Sequence, residues 1–120
     1  MTKEKKDQIL KQEWGYEVIW AEQESYGGKI LVFEKPDKTE FWFNRKTEKS
    51  WFVNNGSFIF RWIDTSTGQL FQQEANEGFV FTAKSLVPCA IECISPGSIS
   101  EANNGYYEND NFIVLSKGSY

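Results

Sequence analysis

From Tyr16 onward the chain runs in short apolar or alternating stretches broken by turn-forming residues, a pattern that predicts strands rather than helices. The predicted strands cover residues 16–20, 29–34, 39–44, 50–53, 57–64, 70–74, 78–82, 89–94 and 112–115. Gly27-Gly28, Pro36-Asp37, Asn54-Asn55-Gly56, residues 65–68 and 76–78, Pro96-Gly97 and Asn103-Asn104-Gly105 separate them, supplying the positive-φ and fixed-φ positions that turns require. Asn54-Asn55-Gly56 is the sharpest local signal. Asn-Gly suits a type I′ turn, so residues 49–53 and 57–62 are expected to form a hairpin. Residues 3–13 are highly charged and predict a helical turn or two, with Ile9 and Leu10 touching the body of the protein. Short strands at this spacing indicate a single antiparallel sandwich or barrel.

Composition narrows the function. A chain of 120 residues and 13.9 kDa is the size of one domain. Its 10 Phe, 5 Trp and 5 Tyr exceed what a small core needs, so some rings should line a cavity or an oligomer interface. A formal charge of −4 and a pI near 4.9, with no stripe of Lys or Arg, oppose binding to nucleic acid. No apolar run reaches membrane-spanning length and the first residues make no signal-peptide core, so a soluble cytoplasmic protein without a membrane partner is expected. Asn55-Gly56-Ser57 is read as turn chemistry rather than as a glycosylation acceptor. Cys89 and Cys93 fall on one predicted strand, where their Cα atoms lie roughly 13 Å apart, too far for a disulfide. Two reduced thiols fit a reducing compartment.

The chain contains no histidine, and so lacks both the commonest metal ligand and the commonest general base near neutral pH. This matters because the sequence of residues 14–22, Trp-Gly-Tyr-Glu-Val-Ile-Trp-Ala-Glu, followed by Tyr26-Gly27-Gly28-Lys29-Ile30-Leu31, resembles the opening of small single-domain cupins related to type II mannose-6-phosphate isomerases. The first motif of that family, laid on the chain without a gap, runs from Pro36 to Gly56 and places its metal ligands on Trp42, Asn44 and Lys49. The second starts at Gly78 and places the fourth ligand on Cys89 and its asparagine on Cys93. Glu101 and residues 110–115 are similar to the closing strand of the family. The resemblance implies a cupin-like antiparallel β-barrel, the double-stranded β-helix or jelly roll, over residues 14–120, preceded by a short segment of residues 1–13.

In the family, histidines or glutamine and a glutamate hold a divalent metal in the barrel. Here Asn44 offers a weak neutral oxygen and Cys89 a thiolate, a pair differing in softness, and Lys49 an ammonium that repels a divalent ion. The expectation is therefore a barrel without a metal or other cofactor. Strand alternation puts Glu40, Trp42 and Asn44 on one face, which the resemblance assigns to the interior, together with Lys49, Trp51 and Val53 and with Cys89, Ile91 and Cys93.

The functional expectation is a metal-free cupin-like protein that binds a small polar ligand, a sugar or sugar phosphate, without catalysis. Trp42 and Trp51 would form flat walls, Asn44 a hydrogen-bonding group and Lys49 a cation, with Glu40, Cys89 and Glu101 completing the candidate set. Against this stands a filled barrel, in which Trp42 occupies the former metal space and Lys49 pairs with Glu40 or reaches solvent. Two other classes stay open. One is a mannose-6-phosphate isomerase-like enzyme, working through unusual metal ligands or through Lys49 and a carboxylate. The other is a dimeric interaction module, with Phe41, Phe43, Phe52, Phe58 and in part Phe60 directed outward; a symmetric homodimer is expected.

Overall fold

The structure, a computed structural model, describes residues 8–105, 107 and 109–120. Ten strands, all paired antiparallel, make up nearly all of its regular secondary structure: β1 (Ile9–Gln12), β2 (Gly15–Glu22), β3 (Gly27–Phe33), β4 (Asp37–Lys38), β5 (Phe41–Asn44), β6 (Lys49–Ile63), β7 (Leu70–Asn76), β8 (Val80–Ala83), β9 (Cys89–Asn103) and β10 (Asn111–Leu115). A short 3₁₀ turn, Lys117–Ser119, closes the chain. One layer runs β1-β2-β3, then the second half of β9, the first half of β6, and β8. The other runs β7, the second half of β6, the first half of β9, β5 and β10. Two long strands thus pass from one layer to the other, which is the jelly-roll plan.

The expected hairpin at Asn54-Asn55-Gly56 does not form. The chain continues as one strand from Lys49 to Ile63, with register shifts against β9 around Asn55. Pro96-Gly97 likewise lies within β9 rather than ending it. The turn chemistry serves a barrel corner instead. Gly56 takes φ 87, open to glycine at little cost, and Asn54 bonds the hydroxyls of Ser98 and Ser100 at 3.2 and 2.9 Å. Asn55 Oδ1 accepts the Ser98 N–H at 2.9 Å, filling the gap in the ladder. Pairing both halves of β6 with β9 buries Trp51, Val53, Phe58 and Phe60 in one core, which no local hairpin could do. A Cβ on Gly97 would lie 2.1 Å from the Asn55 carbonyl oxygen, a backbone atom that cannot yield. Gly97→Ala is expected to cost about 2–3 kcal/mol, read as a lowered midpoint in urea unfolding.

The corner also switches the face that looks inward. Lys49, Trp51 and Val53 are buried before it, Phe58 and Phe60 after it, so the buried positions pass from odd to even. The outward placement expected of Phe58 and Phe60 is corrected accordingly, each being at most 1% exposed, whereas Phe41 stays on the face of its strand opposite Trp42 and is buried by what covers it. Phe41 is covered by Tyr120 at 4.7 Å between ring centroids, and Phe43 stacks on Phe112 at 5.1 Å. The core between the layers is largely aromatic, with Trp14 stacked on Phe33 at 4.0 Å and Trp51 against Phe60 at 5.3 Å.

The helical turns expected over residues 3–13 are also corrected where they can be seen, residues 3–7 lying outside the described residues. Ile9 to Gln12 pair in register with Val18 to Gly15, and the Ile19 N–H reaches the Gln8 carbonyl at 2.8 Å. The free edge of β2 offers unpaired backbone groups that an extended segment satisfies and a helix does not.

Candidate functional site

The inward positions of the first layer carry charge where a barrel would ordinarily be apolar. Register places Lys29 of β3 opposite Glu101 of β9, and Glu101 opposite Trp51 of β6, so these three share one row on the inner face. Trp51 Nε1 donates to Glu101 Oε1 at 2.9 Å and Asn103 Nδ2 donates to Oε2 at 2.9 Å. Lys29 Nζ donates to Glu17 Oε1 at 2.7 Å, while Gln12 Nε2 serves the other oxygen of Glu17 at 2.7 Å. Among the described residues no buried side-chain nitrogen or oxygen lacks a hydrogen-bond partner.

Lys49 starts β6 and is 8% exposed. Its ammonium donates to Asn44 Oδ1, a neutral partner, and lies 4.8 Å from the centroid of Trp42 and 5.8 Å from that of Trp51. Asn44 is itself fixed by donating Nδ2 to the Asp110 carbonyl at 2.8 Å and to Asn111 Oδ1 at 2.7 Å. Burial pushes the Lys49 pKa below the usual lysine value; Glu101 opposes the shift and Lys29 adds to it. At Lys29 burial acts in the same sense, but Glu101 and Glu17 together outweigh it and hold the pKa above the usual value.

Two cavities meet at this cluster. The larger, about 430 Å³, has Trp14, Leu31, Trp42 and Ile91 among its apolar walls and Lys29, Lys49 and Glu101 among its polar ones. The smaller, about 210 Å³, shares Lys29, Lys49, Glu101 and Asn111 with it. The barrel is therefore not filled by Trp42. The volume of the larger cavity falls within the range of small-molecule sites, and charged and polar side chains line it beside its apolar walls.

Of the residues singled out in the sequence, Trp42, Asn44, Lys49, Trp51 and Glu101 come together here. Glu40 is exposed and lines the larger cavity, but Lys49 bonds Asn44 rather than Glu40. Cys89 lies apart in the core beside Trp42 on the neighbouring strand, its thiol directed to the Val87 carbonyl at 3.4 Å. Burial pushes the Cys89 thiol up to about 12 and that of Cys93 to about 11. Native protein near pH 8 is expected to give almost no reaction with a thiol reagent, and denatured protein both thiols, as read by absorbance. Sequence reasoning missed Glu17, Lys29, Gln12, Asn103 and Asn111. For Glu17 and Lys29 a signal existed: opposite charges on inward-parity positions of two adjoining, mostly apolar strands.

The side chains at the four positions that the sequence resemblance would give to a metal do not fit one. Trp42 offers a ring, Asn44 Oδ1 already takes the Lys49 ammonium, Lys49 is a cation, and the Cys89 thiol keeps its proton. Among the described residues no group of three or more His, Cys, Asp or Glu side chains gathers as a ligand set.

No family model matches the chain and no curated protein matches it. Solved structures do. A tryptophan-to-phenylalanine variant of oxalate decarboxylase from B. subtilis superposes with a TM-score of 0.78 at 16% identity, over 88% of this chain and 30% of that one. Oxalate decarboxylase from Lactobacillus farciminis, in a formate complex, gives 0.77 at 14% identity over 88% of this chain and 33% of that one. The capsular polysaccharide assembling protein CapF from Staphylococcus aureus gives 0.79 at 8% identity over 89% and 31%. This chain spans about a third of the length of each. At such identities the likeness is one of fold, and the fold is the cupin β-barrel.

Proposed function

We propose that this cupin-fold barrel binds a small polar ligand, a sugar or sugar phosphate, beside Lys49, without a metal and without catalysis. One observation carries the reading. Lys49 is buried, is held by a neutral amide instead of a carboxylate, faces two indole rings and lines both cavities. A desolvated cation is costly unless something compensates it, and a polar ligand in the cavity would supply compensation that the neutral amide alone does not. Trp42 supplies a flat wall beside it. The donor set argues against a resident metal, and no imidazole exists to serve as a base. The buried free thiols suit a reducing, cytoplasmic setting; no helix among the described residues is long and apolar enough to cross a membrane.

The test is a titration of tryptophan fluorescence with sugars and sugar phosphates, beside elemental analysis and a thermal-shift series with divalent metals. Saturable quenching that Trp42→Phe removes, with no metal bound, is the expected result. One metal per chain, or a large stabilising shift, would discard the metal-free reading in favour of a metal-dependent isomerase.

A second reading, association with a second copy, is favoured by the outer face of the first layer. Register sets Ile9, Val18, Ile30, Ser100, Phe52 and Val80 in one row across six strands, and none of the six is charged. Ile9, Phe52 and Val80 are each about half exposed. Two chains of charge −4 repel one another, and a row without charge is where such chains can meet. Light scattering should give a dimer that Phe52→Asp converts to monomer; a monomer at all concentrations discards this reading.

A further inference from the structure

We infer that the cavity takes a neutral, hydroxyl-bearing ring such as a free monosaccharide, in preference to a phosphate ester; this deepens the binding reading above and rests on it. The charges that line the two cavities decide between the two ligands. The larger cavity is lined by four glutamates and four lysines and has no arginine. Three of the lysines are already engaged. Lys29 is paired with Glu17, Lys117 bridges Glu13 at 2.8 Å and Asp37 at 2.9 Å, and Lys38 donates to the Tyr120 carbonyl while lying 4.2 Å from its ring. The smaller cavity has an acidic excess, since Glu22 and Asp110 join Glu101 there against Lys29 and Lys49.

A phosphate monoester brings close to two negative charges at neutral pH. Its usual sites answer with arginine forks, helix N-termini or nests of backbone N–H groups. Among the described residues a single lysine of the cavity is without a charged partner, and the carboxylate of Glu101 acts on it from the same cavity. A dianion would gain from one charge and be repelled by the other.

A hydroxyl has the opposite relation to this pair, because it accepts and donates at once. It can accept from the Lys49 ammonium and, either itself or through its neighbour on the ring, donate to Glu101. Each oxygen of Glu101 accepts one hydrogen bond from the protein, from Trp51 or Asn103, and a carboxylate oxygen can accept a second. The C–H face of a saturated ring then has the indole of Trp42 to lie on. A polar ring that carries no charge leaves the existing ion pairs undisturbed.

The experiment is a calorimetric comparison of an aldohexose with its 6-phosphate at low and high salt, on wild type and on Lys49→Met and Glu101→Gln, each shown to be folded by near-ultraviolet circular dichroism. The free hexose is expected to bind about tenfold or more tightly than the phosphate, with an affinity that salt leaves unchanged. Both substitutions should weaken it by about tenfold or more. Tighter binding of the phosphate, weakened by salt, would overturn the inference and leave the binding reading in place. So would hexose binding indifferent to Glu101→Gln. Binding of neither compound to wild type would end both.

Discussion

Phe60→Ala is expected to destabilise the protein by about 3–5 kcal/mol, whereas Phe52→Ala on the same strand should change stability by less than about 0.5 kcal/mol. Phe60 is fully buried and meets the rings of Trp51, Phe79 and Phe81 at 5.3, 6.1 and 5.4 Å, so its removal leaves a cavity that rigid aromatic neighbours fill poorly. Phe52 is 45% exposed on the outer row and loses little by truncation. Urea unfolding at low protein concentration, where association contributes least, measures both. Equal costs at the two positions would mean that β6 does not change its inward face at the corner.

That change of face explains what the sequence could and could not reveal. The strand spacing, the all-β class and most strand positions follow from alternation and turn residues, because those act within a few residues; the barrel came from the resemblance. Asn54-Asn55-Gly56 misled for the same reason. Its local preference is real, but the glycine conformation that suits a type I′ turn also suits a bulge, and only the partner strand decides between them. The partner is β9, some forty residues later in the chain, and its pairing across the whole length of β6 is a long-range fact. Once the corner is misread as a turn, parity beyond it goes astray, and Phe58 and Phe60 are sent outward. The pairing of β1 with the edge of β2 was hidden in a similar way, by a charged composition that belongs to an exposed edge strand as readily as to a helix.

The site divides along the same line. Trp42, Asn44, Lys49, Trp51 and Glu101 were legible because motif spacing and strand parity place them on inner faces before the corner is reached or on β9, whose parity the corner leaves intact. Their partners were not. Nothing in the sequence near Glu101 says that Lys29 lies across from it, because that follows from the pairing of β3 with β9. Nor does a lone inward lysine reveal that Asn44 rather than Glu40 will meet it; strand direction and the anchoring of Asn44 by Asp110 and Asn111 settle that.

Glu101→Leu is expected to cost at least about 3 kcal/mol, and Glu101→Gln about 1–2 kcal/mol near neutral pH. The carboxylate performs two tasks. It accepts the buried Trp51 N–H and the Asn103 amide, and it supplies the negative potential that favours the ammonium forms of both Lys29 and Lys49. Leucine removes both and orphans the indole donor; glutamine keeps an acceptor for Trp51 but removes the charge and, with an NH2 in place of one oxygen, the bond from Asn103. The two tasks separate with pH. In wild type the raised Lys29 pKa gives stability that is complete below the usual lysine value of 10.5 and is lost as pH rises through the folded pKa. Lys49, with its pKa lowered, has the reverse sign: the unfolded chain binds the extra proton, so stability climbs with pH from the folded pKa up to 10.5. Without the carboxylate charge both folded values fall, the Lys29 contribution shrinks, and the Lys49 climb starts at lower pH. The stability gap between wild type and Glu101→Gln should therefore be widest near neutral pH and narrow as pH rises through the lowered lysine values. A gap that stays constant across that alkaline range, measured by urea unfolding at successive pH values, would mean that Glu101 acts only as a hydrogen-bond acceptor and that the charge in the cavity is of no account to Lys29 and Lys49.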